Sequence, residues 1–123
     1  HKELLKPFLQ ILDVEVDFDL RVMKKNQSPN EVCSRILAKL DKILELEKPD
    51  LILVQGDTTT TLAGALAGFY RRIPVGHVEA GLRSGNLNSP FPEEMNRRLV
   101  SRVASFHFAA TERNRRALLA EHI

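Results

Sequence analysis

Three short apolar runs, at residues 51–54, 73–78 and 105–110, each give way to a helical pattern, and this alternation constrains the fold more than any other feature. Strand, helix, strand, helix, strand, helix implies an α/β domain with a parallel sheet and right-handed crossovers, because parallel neighbours need a long connection. The first run, Leu51-Ile52-Leu53-Val54, is unbroken, as expected of a strand covered on both faces. Behind it come Gln55-Gly56-Asp57 and four threonines, then a helix over 62–70. Ala63, Gly64, Ala65, Ala67 and Gly68 suit that helix to close packing on the sheet. A loop over 84–92 with two prolines leads into a helix over 93–104, with Met95, Leu99, Val100 and Val103 inward. Thr111 caps a last helix that runs through Glu121.

Before the sheet begins, residues 2–12 read as a helix with Leu4, Leu5, Phe8, Leu9 and Leu12 on one side, and Pro7 in its first turn or at a kink. Residues 14–22 alternate apolar and acidic, but Asp17 and Asp19 favour a short edge segment or loop over a central strand. The clearest helix opens at Ser28-Pro29-Asn30-Glu31: Ser28 and Glu31 have capping-box spacing, and Pro29 sits where a missing N–H costs nothing. Val32, Ile36, Leu37, Leu40, Ile43 and Leu44 follow at helical spacing until Lys48-Pro49-Asp50 ends it.

With 123 residues the chain has room for one domain, and 43% hydrophobic content excludes a disordered tail. A net charge of +2 gives no reason to expect a nucleic-acid partner. The charge is unevenly spread, however: residues 1–70 carry −2, whereas residues 71–123 carry +4, and all nine basic residues there are arginine. Arginine's planar fork binds phosphate or carboxylate bidentately. No charge-free apolar stretch reaches the ~18–20 residues of a membrane span. The lone Cys33 excludes an intramolecular disulfide and reads as a small buried hydrophobe, so the reducing cytoplasm is the expected compartment. The chain opens on His1 rather than Met.

Ligands of open α/β sheets bind beyond the carboxyl ends of the strands, so the strand exits are where chemistry is expected. At the first, Gly56 allows close backbone approach and the helix start offers N–H groups to an anion; the plain alternative is that Asp57 simply caps that helix. At the second, alternation puts His77 and Glu79 on one face, and burial there would fit Glu79 for proton transfer; the alternative is a polar strand end paired with Arg83. His-x-Glu also occurs in zinc deaminases, but their Pro-Cys-x-x-Cys partner is absent, so no metal is expected. At the third place, the loop could hold Glu93 in a cleft, while Glu93–Arg97 and Glu94–Arg98 also read as ordinary i,i+4 pairs. Together these exits bring Asp57, Glu79 and Glu93 to one rim with Arg83 and Arg97 beside them, a set suited to proton transfer next to a phosphate-bearing leaving group.

The segments Gln-Gly-Asp-Thr-Thr-Thr (55–60), Pro-Val-Gly-His-Val-Glu-Ala-Gly-Leu-Arg (74–83) and Pro-Glu-Glu-x-Asn-Arg (92–97) resemble motifs of the non-hydrolysing UDP-N-acetylglucosamine 2-epimerases. The resemblance implies a Rossmann-like N-terminal domain of a two-domain GT-B enzyme, with the active site in the cleft between domains. It implies interconversion of UDP-N-acetylglucosamine and UDP-N-acetylmannosamine for surface polysaccharides, without metal or nicotinamide. The C2 proton has no adjacent carbonyl to acidify it, so the family eliminates UDP to 2-acetamidoglucal and adds it back with the proton on the opposite face. Carried onto this chain, Asp57, Glu79 and Glu93 become the acid–base candidates. Glu93 and Asp57 are favoured for proton transfer, with Glu79 as partner or second acid. Arg83 and Arg97 would organise the carboxylates or contact phosphate; His77 is grouped with them on the substrate side, with a structural role as its alternative. The family's first strand and Gly-Thr-Arg-Pro-Glu loop would lie before His1, and its C-terminal domain after Ile123. The 123 residues are therefore expected to be an incomplete N-terminal domain, inactive alone, within a homodimer when full length. A hydrolysing 2-epimerase, a non-catalytic nucleotide-sugar binding module and a GT-B glycosyltransferase domain are the competing readings.

Overall fold

The computed structural model describes residues 2–123, with side chains from Pro7 onward. Helix α1 (Lys2–Ile11) and α2 (Pro29–Glu47) precede β1 (Ile52–Gln55), α3 (Thr59–Tyr70), β2 (Val75–Ala80), α4 (Glu93–Val103), β3 (Phe106–Ala109) and α5 (Glu112–Ala120). The three strands form one parallel sheet in the order β1-β2-β3, as the alternation of the sequence requires. Pro7 lies inside α1, past its first turn. The side chains of Leu4 and Leu5 fall outside the described residues, and Phe8, Ile11 and Leu12 are exposed. Residues 14–22 form no strand.

Local chemistry sets the helix ends. The capping box at α2 is complete: the Ser28 hydroxyl accepts from the Glu31 N–H, and the Glu31 carboxylate accepts from the Ser28 N–H at 2.8 Å. Lys48, at φ +46°, turns the chain out of α2 into β1. Cys33 is half-buried rather than buried, and burial pushes its thiol pKa up. Helix α3 approaches the sheet as its small residues allow. A Cβ on Gly68 would stand 2.7 Å from Val75 Cγ2, too close for any side chain.

The core lies between the sheet and helices α3 and α4, where Ala65, Val75 and Val100 are buried and Val54, Leu62 and Val103 pack against them. Two expectations need correcting. First, α4 turns Glu94, Asn96, Arg97, Val100 and Ser101 inward and leaves Met95 and Leu99 about 40% exposed. Val100 and Val103 face the core as expected, and the buried partners of Glu94 and Arg97 turn the helix away from Met95 and Leu99. Second, β1 is covered on only one face: Leu53 is 61% exposed, and Phe106 and Phe108 on the same side of the sheet are each 52% exposed. Among the described residues, no helix lies over that face.

Candidate active site at the carboxyl ends of the strands

All three strands point their carboxyl ends at one rim, and the loop Gln55-Gly56-Asp57 leaves β1 there. Gly56 has φ +80°, a conformation that only glycine adopts freely, and it lets the chain turn sharply into Asp57. The cap of α3 is Thr58, whose hydroxyl accepts from the Thr61 N–H. Asp57 is therefore not the helix cap. Its carboxylate is available at the rim, and the side chain that meets it is Arg97: Nε lies 2.9 Å and Nη2 2.7 Å from Asp57 Oδ2.

Arg97 in turn reaches Glu94. Its Nη1 donates to Glu94 Oε2 at 3.2 Å, and Arg98 Nε donates to Glu94 Oε1 at 3.0 Å. Glu94 is fully buried and also accepts from the Ser84 N–H at 3.0 Å, which ties the start of the 84–92 loop to α4. Burial works to raise the Glu94 pKa, but the Ser84 N–H and the Arg98 and Arg97 guanidiniums overcome it and hold the carboxyl below its ordinary value. The i,i+4 pair expected between Glu93 and Arg97 does not form, because Arg97 is taken up by Asp57 and Glu94. That leaves the half-buried Glu93 carboxyl without a hydrogen bond or ion pair among the described residues.

Glu79 sits at a bulge where the pairing of β2 with β3 slips between Val78 and Ala80. Its φ of +70° is strained for a side-chain-bearing residue and costs about 1–3 kcal/mol. The side chain is exposed, not buried as expected, because the bulge re-aims it. Its Oε2 stands 3.5 Å from the position a Gly56 Cβ would take. Arg83 does not pair with Glu79. Its Nε and Nη2 fork onto the two Glu121 oxygens at 2.7 and 2.9 Å, and Nη2 also donates to Ser101 Oγ at 3.0 Å. Arg83 holds the Glu121 carboxyl below its ordinary pKa. Arg98 closes the series at 3.8 Å from Glu121, so alternating charges run from Asp57 through Arg97, Glu94, Arg98 and Glu121 to Arg83.

His77 is fully buried beneath the rim, with Nε2 2.7 Å from the Gly56 carbonyl oxygen. Asn96, part of the 92–97 motif but given no role from it, donates from Nδ2 to the Asp57 carbonyl at 2.9 Å. Glu94, expected only in a first-turn i,i+4 pair with Arg98, keeps that pair and adds Arg97 and the Ser84 N–H. For Glu94 the signal lay in the spacing: 94, 97 and 101 share a helix face that the apolar pattern does not claim. Among the described residues, no group of three or more His, Cys, Asp or Glu side chains could hold a metal ion. A groove of about 520 Å³ lined by Phe69, Tyr70, Ile73, Pro74 and Val103 lies at the opposite end of the sheet, before β2 begins.

A family model described as UDP-N-acetylglucosamine 2-epimerase matches residues 1–123. The chain is 54% identical over 123 residues to the UDP-N-acetylglucosamine 2-epimerase of Yersinia pestis and 52% identical to that of Escherichia coli K12, covering all of this chain and 33% of each relative. It overlays the crystal structure of the Neisseria meningitidis UDP-GlcNAc 2-epimerase bound to UDP-GlcNAc with a TM-score of 0.96 and 52% identity, over 100% of this chain and 33% of that one. The Methanocaldococcus jannaschii enzyme in complex with UDP-GlcNAc and UDP matches with a TM-score of 0.89 and 41% identity, over 96% of this chain and 32% of that one. These neighbours are epimerase structures of GT-B architecture, and the chain spans about a third of their length and of the curated relatives. With the parallel sheet and the three motifs in register, the chain belongs to the UDP-N-acetylglucosamine 2-epimerase family.

Proposed function

We propose that residues 1–123 are an incomplete N-terminal Rossmann-like domain of a cytoplasmic, non-hydrolysing UDP-N-acetylglucosamine 2-epimerase. The observation that carries this reading is the release of Asp57 from helix capping and its pairing with Arg97, at a rim where Glu79 and Glu93 also end. That rim suits a reaction in which one carboxylate removes the C2 proton while the bond from C1 to the UDP oxygen breaks. The products are 2-acetamidoglucal and UDP. Return of UDP to C1, with a carboxylic acid protonating C2 from the opposite face, completes the inversion. Asp57 and Glu93 move the protons and Glu79 assists. Arg97 holds the Asp57 carboxylate in place, and Arg83 braces the rim through Glu121. The remaining two thirds of the protein supplies most of the UDP contacts, covers the open sheet face and carries a homodimer.

Incubation of the full-length protein with UDP-N-acetylglucosamine tests the reading. The expected result is a mixture of the two UDP-sugars with no free sugar; release of N-acetylmannosamine and UDP would point instead to the hydrolysing reaction. The 123-residue chain alone is expected to give no turnover.

A further inference from the structure

We propose that His77 is a positioning residue, which holds the Gly56–Asp57 turn through the Gly56 carbonyl and does not touch the sugar nucleotide. The proposal rests on the epimerase reading for its consequences but on geometry for its substance. Three consecutive carbonyls lead into Asp57's side chain, and each is held by a side chain from a different element. Thr61 Oγ1 of α3 donates to the Gln55 carbonyl at 2.7 Å. His77 Nε2 of β2 meets the Gly56 carbonyl at 2.7 Å. Asn96 Nδ2 of α4 donates to the Asp57 carbonyl at 2.9 Å. All three donors belong to buried residues, and His77 is 0% exposed, so the imidazole has no access to a ligand at the rim.

A carbonyl oxygen only accepts, so Nε2 must carry the proton. That assigns His77 one tautomer. Its Nδ1 is buried and makes no hydrogen bond, as does Nδ1 of its pairing partner on β3, His107. A second proton on His77 would have to enter this unpartnered site beside Arg83, and burial lowers the His77 pKa accordingly. A neutral imidazole with a fixed donor is thus built under a glycine turn that is also tied to β2 by the Gly56 N–H, which donates to the Val78 carbonyl at 3.1 Å. Gly56, at φ +80°, is the most permissive residue in the loop, and without the His77 bond the peptide between Gly56 and Asp57 loses the contact that orients its carbonyl, which lets Asp57 shift against Arg97. Displacement of a reacting carboxylate by about 1 Å is enough to cost on the order of 100-fold in rate.

Full-length variants His77→Leu, which removes the donor, and His77→Gln, whose side-chain amide places an N–H near the position of Nε2, test the assignment. His77→Leu is expected to lower kcat by about 10- to 100-fold with UDP-N-acetylglucosamine binding changed less than about threefold, and His77→Gln to recover most of kcat. A rise in KM with kcat unchanged, or a His77→Gln variant as slow as His77→Leu, would overturn the proposal. If His77→Leu does not fold, Asn96→Ser applies the same test to the neighbouring carbonyl. Loss of substrate affinity in place of kcat there would overturn the clamp. Long-range proton–nitrogen NMR correlations on the wild-type protein at pH 7.5 give a readout that needs no activity. A protonated Nε2 with a bare Nδ1 is expected, and the opposite tautomer or an imidazolium would contradict it. An enzyme without epimerase activity but with that tautomer would remove the proposed reaction and leave the clamp standing.

Discussion

At the carboxyl end of the sheet, Glu94 and Arg97 are buried and paired, while across the sheet's open face apolar side chains stand in water. Glu94 is 0% exposed and Arg97 9%, yet Leu53 is 61% exposed and Phe106 and Phe108 52%. This is the reverse of the usual sorting of residues between interior and surface. At the rim each buried charge has hydrogen-bonded partners of opposite sign, which is the condition under which burial of charge is tolerated. Nothing comparable offsets the open face. The contrast separates two causes: the buried charges of the rim are held by partners within these residues, whereas the apolar side chains of the open face have no cover among the described residues.

The comparison breaks most readily at Glu94. Its replacement by alanine would leave Arg97 and Arg98 facing a buried gap, and the expected loss is about 3–5 kcal/mol of stability in urea unfolding. A loss below about 1 kcal/mol would mean that the rim is held by packing instead. Phe108→Ser sharpens the other side. In the 123-residue chain it should cost less than about 1 kcal/mol, and in the full-length protein about 3 kcal/mol, because only there would the ring be covered. Equal effects in both would show that the face stays open.

Acid distinguishes the histidines beneath the rim from the rim's carboxylates. Burial lowers the pKa of His77, and burial together with the neighbouring His77 lowers that of His107. Each is neutral when folded and gains a proton more readily when unfolded. Their contribution is therefore whole above the ordinary histidine value of about 6.5 and is lost as pH falls through the lower folded values. Glu94 and Glu121, also lowered, contribute fully above about 4.5 and lose that contribution as pH falls through their folded values. Stability should decline in two stages, first below pH ~6.5 and again below ~4.5. His77→Gln should weaken the first stage and leave the second. The smallest effect belongs to neither region: Ser28→Ala, which breaks the capping box of α2, should cost about 1 kcal/mol with no change in turnover.

Much of this was legible in the sequence because it depends on short-range signals. The Ser28–Glu31 box, the small face of α3 and the strand-helix alternation are each written in neighbouring residues, and each appears as expected. The rotation of α4 was not legible. Met95 and Leu99 carry the apolar pattern, but the helix follows Glu94, Arg97 and Ser101, whose partners at Asp57, Ser84 and Arg83 are distant in sequence. Period-two alternation likewise could not show that a bulge at Val78–Ala80 would turn Glu79 out into solvent. The rim's residues were named by motif, whereas the pairing of Arg83 with Glu121 needed the fold.

Asp57, freed from capping and fixed by Arg97, is proposed to take part in proton transfer at C2. Proton NMR of UDP-N-acetylglucosamine in deuterated water, with the full-length protein and its Asp57→Asn variant, tests it most directly. The wild type should exchange the C2 proton for deuterium as the second UDP-sugar forms, and the variant should bind the substrate yet exchange at least about 100-fold more slowly. Exchange at the wild-type rate in the Asp57→Asn variant would contradict the claim.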